Sequence, residues 1–352
     1  MESNEGSRTP DWSGLQNNPC NLCPRNCMVN RREGQRGFCG ADERIFLGRA
    51  ALHMWEEPCI SGRSGSGTVF FSGCNLRCVY CQNYEISAEG KGKQVTKERL
   101  AEIFLELQEK GAANINLVTP DHYILEVAQA VLWARAKGLR IPIVYNGSGY
   151  EKSEVIRRLD GIVDIFLTDF KYMDSALAQK YSSAPDYPEA AKVSLEEMVR
   201  LAGEPFFDER GMMQKGVIVR HLLLPGHKKN AKDVIRYVYE TYGDRVYLSL
   251  MNQYTPFDRV KEIPAVQELG RKVTRREYEA VVDYAISLGV KNAFIQEGDV
   301  AKESSGRSSG HWDFSFSRVL WLTASWTLLR RFSCSSVRRI ASSRTSISSF
   351  SS

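Results

Sequence analysis

Between Thr68 and Gln296 the chain alternates two hydrophobic rhythms, and that alternation restricts its fold more than any other feature. The runs TVFFSG (68–73), NINLVT (114–119), IPIVYNG (141–147), IVDIFLTDF (162–170), GVIVRHLLL (216–224), RVYLSLM (245–251) and VKNAFIQ (290–296) read as buried strands. Between them, KERLAEIFLELQEKG, YILEVAQAVLWARAKG, AKDVIRYVYETYG and TRREYEAVVDYAISLG carry apolar residues at helical spacing, each ending in a glycine suited to a helix C-cap. Strands separated by helices imply right-handed crossovers and a parallel sheet, either open or curled into a full or partial barrel. Active sites on such sheets lie at the C-terminal strand ends.

At 352 residues, with 43% hydrophobic and 25% charged, the chain can bury a substantial core. The net charge of +5 is modest and weighted towards arginines after Ser304, where Asp313 is the only acid, so it is no nucleic-acid footprint. No apolar run is long and uninterrupted enough for a confident membrane span. The first residues, MESNEGSRTPDW, lack a basic and an apolar stretch of the secretory kind, which gives the expectation of a reducing cytoplasm. There, clustered cysteines bind metal or react rather than pair as disulfides.

The flanks break the rhythm. Residues 1–67 are rich in Cys, Gly, Pro, Asn and Arg around one apolar stretch, RIFLGRAALHMW, and suggest a small metal-stapled extension ahead of a domain at 68–303. Residues 304–352 are about one-third serine, show no helix or strand period, and suggest a non-native or disordered tail that holds Cys334.

Eight of the nine cysteines fall between Cys20 and Cys81. FFSGCNLRCVYCQN sets Cys74, Cys78 and Cys81 in a C-x3-C-x2-C arrangement directly after a predicted strand, so that three thiolates converge from one side. Three ligands leave one iron of a four-iron cluster open to a small molecule, whereas electron-transfer clusters take four cysteines and a closed zinc site wants four ligands. PCNLCPRNCMVNRREGQRGFCG adds Cys20, Cys23, Cys27 and Cys39, enough for a zinc site or an auxiliary iron–sulfur cluster, with the two metals evenly matched. Cys59, alone in EEPCISG, reads as a buried or interfacial thiol.

The three-cysteine motif, with Tyr80 before its last cysteine, resembles the radical S-adenosylmethionine (SAM) superfamily, and the likeness extends along the alternating region. It implies a partial (β/α) TIM-like barrel, a 4Fe-4S cluster on Cys74, Cys78 and Cys81, and SAM chelating the open iron. One electron would then yield a 5′-deoxyadenosyl radical. The family's amine-binding turn corresponds here to Thr119, Pro120, Asp121 and His122, a departure in which an acid still suits an ammonium group; a helix N-cap is the equal alternative for Asp121. LTDFKYMD resembles the Asp-x-Lys element of glycyl-radical-enzyme activases, which implies that Lys171 contacts the methionyl carboxylate and that Asp169 lies near the substrate. Asn146, Arg220 and Gln253, with His221, Asn252 and Gln296, stand at or near predicted strand ends and are candidates to line the pocket.

The Cys-x-x-Cys-Pro segment ahead of EEPCISG resembles the pyruvate formate-lyase activating enzyme-like branch. That implies a reductant such as flavodoxin or ferredoxin and, for an activase, a glycyl radical enzyme as partner. A radical enzyme acting on a small molecule or another peptide is the alternative, and a metal-binding electron-transfer or structural protein is the alternative of another class.

Overall fold

A computed structural model describes residues 11–296 and the backbone of 319–322. In chain order the strands are β1 (Ile45–His53), β2 (Ser66–Phe71), β3 (Lys93–Val95), β4 (Ile115–Val118), β5 (Ile143–Gly147), β6 (Ile165–Asp169), β7 (Phe206–Phe207), β8 (Met213–Leu222), β9 (Tyr247–Met251), β10 (Ala293–Gln296) and β11 (Val319–Leu322). The helices are α1 (Pro58–Ser61), α2 (Tyr84–Ser87), α3 (Lys97–Glu109), α4 (Ile124–Ala136), α5 (Ser153–Arg157), α6 (Ser175–Ser182), α7 (Tyr187–Ala202), α8 (Lys228–Tyr242), α9 (Asp258–Lys261) and α10 (Arg275–Ser287).

The seven apolar runs became β2, β4, β5, β6, β8, β9 and β10, which pair in that order, every neighbour parallel. β1 and β3 extend the β2 edge antiparallel, β11 extends the β10 edge, and the sheet does not close. The result is a mixed α/β, barrel-like fold with a gap. The stretch RIFLGRAALHMW is therefore β1 and its exit, paired with β2, and a boundary at residue 67 cuts through the sheet. Of the tail after Ser304 only 319–322 is described, and those residues form a strand where the sequence shows no period; Cys334 lies outside the described residues.

The helices pack their apolar stripes on the outer face of the sheet, as Leu100, Ala101, Phe104 and Leu107 of α3 and Ala231, Val234, Ile235 and Val238 of α8 illustrate. Thr96 caps α3 by accepting from Arg99 N at 3.2 Å, and Thr274 with Glu277 forms a capping box on α10. Among the described residues no helix is long and apolar enough to cross a membrane.

Side chains alternate along a strand, so each outward set has an inward counterpart. Val144, Leu167, Ile218 and Phe294 point inward and enclose a separate apolar cluster with Cys59 and Ile60 of α1. The EEPCISG turn is thus a plug inside the sheet's curve, with Cys59 a buried thiol. Two residues further along the same faces come Asn146, Asp169 and Arg220, which replace apolar packing by charge.

Candidate active site

The cluster motif occupies the loop leaving β2. Two left-handed residues make the loop curl: Gly73 at φ 95° and Arg77 at φ 52°. A Cβ on Gly73 would lie 2.6 Å from the Cys39 carbonyl oxygen, so only glycine permits that approach. Each sulfur accepts a hydrogen bond: Cys74 Sγ from Leu76 N (3.4 Å), Cys78 Sγ from Ser182 Oγ (3.0 Å) and Cys81 Sγ from Ser87 Oγ (3.2 Å). Burial, with Cys78 nearby, pushes the Cys74 thiol up, and burial raises Cys81 despite the Ser87 bond.

Three thiols on one loop, each met by a donor of the kind that tunes cluster sulfurs, suit the ligand set of an open iron–sulfur cluster. Tyr80 stands behind them, its hydroxyl 2.6 Å from Tyr172 Oη.

Facing this loop is a buried ion network. Arg220 donates to Asp169 Oδ1 (3.0 Å), to Glu56 Oε2 (3.3 Å) and to Asn146 Oδ1, while Lys171 donates to Asp169 Oδ2. Arg220 is 15% exposed, Asp169 and Lys171 are 19% exposed, and Glu56 is 9% exposed. Burial opposes charge at all four. Lys171 and Arg220 nonetheless hold Asp169 below its ordinary pKa, and Asp169 keeps Lys171 and Arg220 raised, whereas burial wins at Glu56 and lifts it. The arrangement keeps two cations and a carboxylate ionised at a partly open strand end, which suits a ligand carrying both an ammonium and a carboxylate.

Gln253 lies at the end of β9 against the same loop. Its carbonyl accepts from Gln82 Nε2 (3.0 Å) and its side chain from Gln296 Nε2 (3.3 Å). His221 bonds the Phe170 carbonyl (2.7 Å), and burial lowers it to about 4, so it is a neutral core histidine.

Asp121 and His122 are placed differently from the expectation. Thr119 takes a left-handed conformation (φ 55°), and the next residues form a 3-10 turn covered by the N-terminal segment. Asp121, 2% exposed, makes no cap; it accepts from Tyr145 Oη and pairs with Glu151, whose carboxyl burial and Asp121 together raise far above the usual range. His122, 1% exposed, bonds the Ser72 carbonyl at 2.7 Å, and burial lowers it to about 3. Neither joins the Asp169 network; both are buried in the wall between the N-terminal segment and β4, where Asp121 Oδ2 and His122 Nδ1 have no hydrogen-bond partner.

The second cysteine group lies on that wall. Cys74 N donates to the Cys39 carbonyl (3.2 Å), Arg31 donates to Cys39 Sγ (3.4 Å) and to the His122 carbonyl, and Cys27 Sγ accepts from Phe38 N (3.2 Å). Burial raises Cys39, and it lifts Cys23 to about 12 with Cys39 and Cys20 adding to the effect. Arg25, between Cys23 and Cys27, donates to the carbonyls of Asn75 (2.8 Å), Ser182 (2.8 Å) and Ser183 and stacks 3.8 Å from the centre of the Phe38 ring. Among the described residues no three Cys, His, Asp or Glu side chains converge as a single metal ion requires.

Sequence reasoning missed Glu56, Ser87, Ser182, Arg25 and Arg31. Only Glu56 left a signal, an acid pair directly before Pro58 in an otherwise apolar turn.

Compared with known proteins, residues 68–238 match the family described as the Radical SAM superfamily. Two uncharacterized proteins of Methanocaldococcus jannaschii are similar: one is 29% identical over 275 residues, covering 76% of this chain and 74% of the relative, and the other is 24% identical over 299 residues, covering 78% and 80%. A chitinase catalytic domain from Pyrococcus furiosus overlaps in structure at a TM-score of 0.34 with 11% identity, over 56% of this chain and 71% of that one, too slight a likeness to bear on fold or function.

Proposed function

Since residues 68–238 form a radical SAM domain, which makes this an enzyme of that class with a 4Fe-4S cluster and SAM, we propose that Cys74, Cys78 and Cys81 are its cluster ligands and that it acts as a glycyl-radical-enzyme activase. When bound, the cluster supplies one electron that breaks the sulfur–C5′ bond of SAM, giving methionine and a 5′-deoxyadenosyl radical. The observation that carries the reading is the Asp169–Lys171–Arg220 network facing the cysteine loop.

In this reading Lys171 receives the methionyl carboxylate, Asp169 and Asn146 offer acceptors to the ammonium and hydroxyl groups, and Arg220 holds Asp169 ionised. Gln253 presents an amide beside the loop. Fixing these groups before SAM arrives lowers the cost of orienting it. His122 acts indirectly, by supporting the Ser72–Gly73 backbone from behind, while Asp121 is engaged by Tyr145.

Cys20, Cys23, Cys27 and Cys39 are proposed to hold zinc or an auxiliary iron–sulfur cluster, since four thiolates suit either. The electron donor is proposed to be a flavodoxin or ferredoxin, and the compartment a reducing cytoplasm, on the oxygen sensitivity of such clusters. A small-molecule substrate is the second reading, favoured by Arg25 and Cys39 packing directly on the cluster loop.

The test is anaerobic incubation of the reduced enzyme with SAM and candidate glycyl radical enzymes, followed by air. Cleavage of a partner at one glycine supports the activase; intact partners alongside abundant 5′-deoxyadenosine turn the reading to the small molecule.

A further inference from the structure

The plug turn carries a residue that belongs to the chemistry. Glu56 leaves the end of β1 and enters the sheet's interior, where Asn116 Nδ2 of β4 donates to its Oε1 at 2.9 Å and Arg220 of β8 donates to its Oε2 at 3.3 Å. Arg220 is thereby fixed at three points, Asp169 on β6, Asn146 on β5 and Glu56 from below.

Without Glu56 the buried guanidinium keeps Asn146 and leans more heavily on Asp169, the acid that also holds Lys171. Fork geometry makes such an arginine sensitive to losing a partner, and a buried charge that loses its counterion is costly. Glu56 hydrogen-bonds neither Lys171 nor the cysteine loop; its hydrogen-bonded link to the site is Arg220, with its charge also felt at Asp169.

We propose that Glu56 is a positioning residue for the SAM site, acting through Arg220 to apportion Asp169 between Arg220 and Lys171. This rests on the assignment of Asp169 and Lys171 to SAM in the proposed function. The chemical consequence is a site whose affinity for a zwitterionic amino-acid group is set from the barrel floor, by a turn outside the alternating strands and helices.

The experiment is a double-mutant cycle of Glu56→Gln and Arg220→Gln. It is read by calorimetric SAM affinity in the reconstituted enzyme and by urea unfolding of the cluster-free chain. Glu56→Gln is expected to weaken SAM binding about tenfold in the native background and less than twofold beside Arg220→Gln, as coupled sites require. The cluster-free chain should show the same coupling. Unchanged SAM affinity in Glu56→Gln, or two effects on that affinity that multiply, overturns the proposal, because a merely structural glutamate would shift unfolding and leave SAM affinity alone.

If Glu56→Gln does not fold, Asn116→Ala, which removes the other anchor of Glu56, is read in the same way, with about threefold weaker binding expected. Cys59→Ala, in the same plug but outside the network, should lower the urea midpoint and leave SAM affinity alone; a matching loss of affinity would overturn the proposal. A reconstituted wild type that binds no SAM overturns the proposed function and this inference together, a result distinct from any failure among the variants.

Discussion

The two cysteine groups touch each other through one hydrogen bond, Cys74 N to the Cys39 carbonyl, yet their surroundings differ in kind. Cys74, Cys78 and Cys81 sit on a loop at the C-terminal end of a parallel strand, with hydroxyls on two of the sulfurs and a buried ion network opposite. Cys20, Cys23, Cys27 and Cys39 sit in a segment with little regular structure, beside a buried arginine and a neutral histidine. Position on the fold separates them: the first group lies beside the ion network at the strand ends, and the second lies in the wall behind it.

The largest expected difference comes from serine substitutions. Cys78→Ser should reduce 5′-deoxyadenosine formation by about a thousandfold or more, since no other group in the site can do the electron's work. Cys27→Ser should leave more than about a tenth of it. Mass-spectrometric quantitation after single turnover decides this, and equal losses would erase the distinction.

Next is Lys171→Ala, expected to weaken SAM binding by about 10- to 100-fold through loss of one charge-assisted contact. His122→Gln, on the wall, should change it less than about threefold.

Cluster assembly should be strongly pH dependent in both groups. Burial raises Cys74 and Cys81 in one and Cys23 and Cys39 in the other, so loading must expel protons and improves as pH rises. Iron affinity measured at pH 6.5 and 8.5 should rise with pH, and a flat response would show that the thiols are already ionised.

The smallest effect concerns stability. His122 is lowered by burial to about 3 and His221 to about 4, so the unfolded chain binds protons first as pH falls. Their contribution is whole above pH 6.5 and is lost below it at roughly 1.4 kcal/mol per unit for each histidine. His122→Gln should remove its own share of that slope in urea titrations between pH 6 and 4.5, where His53 and His227, also lowered by burial, contribute as well.

Much of this was legible in the sequence. Seven apolar runs became seven parallel strands because each is buried on both faces and needs no polar alternation to announce it. β1 was visible only as an apolar stretch, since its identity as a strand depends on pairing with β2. α7 went unread although its apolar stripe is as clear as that of α3.

In the site, strand-end polarity pointed to Asn146, Asp169 and Arg220, whose mutual bonds follow from adjacent parallel strands. Asp121 and His122 carried the same signal but were turned into the wall by the left-handed Thr119 and covered by a segment distant in sequence. Glu56 was hidden for the same reason: its partners, Asn116 and Arg220, lie far along the chain.

The most direct test of the central claim is single-turnover analysis of the anaerobically reconstituted enzyme with SAM and dithionite. The account predicts methionine and 5′-deoxyadenosine in equal amounts, both absent from Cys74→Ser, Cys78→Ser and Cys81→Ser. A wild-type enzyme with a full complement of iron and sulfide that leaves SAM intact would contradict it.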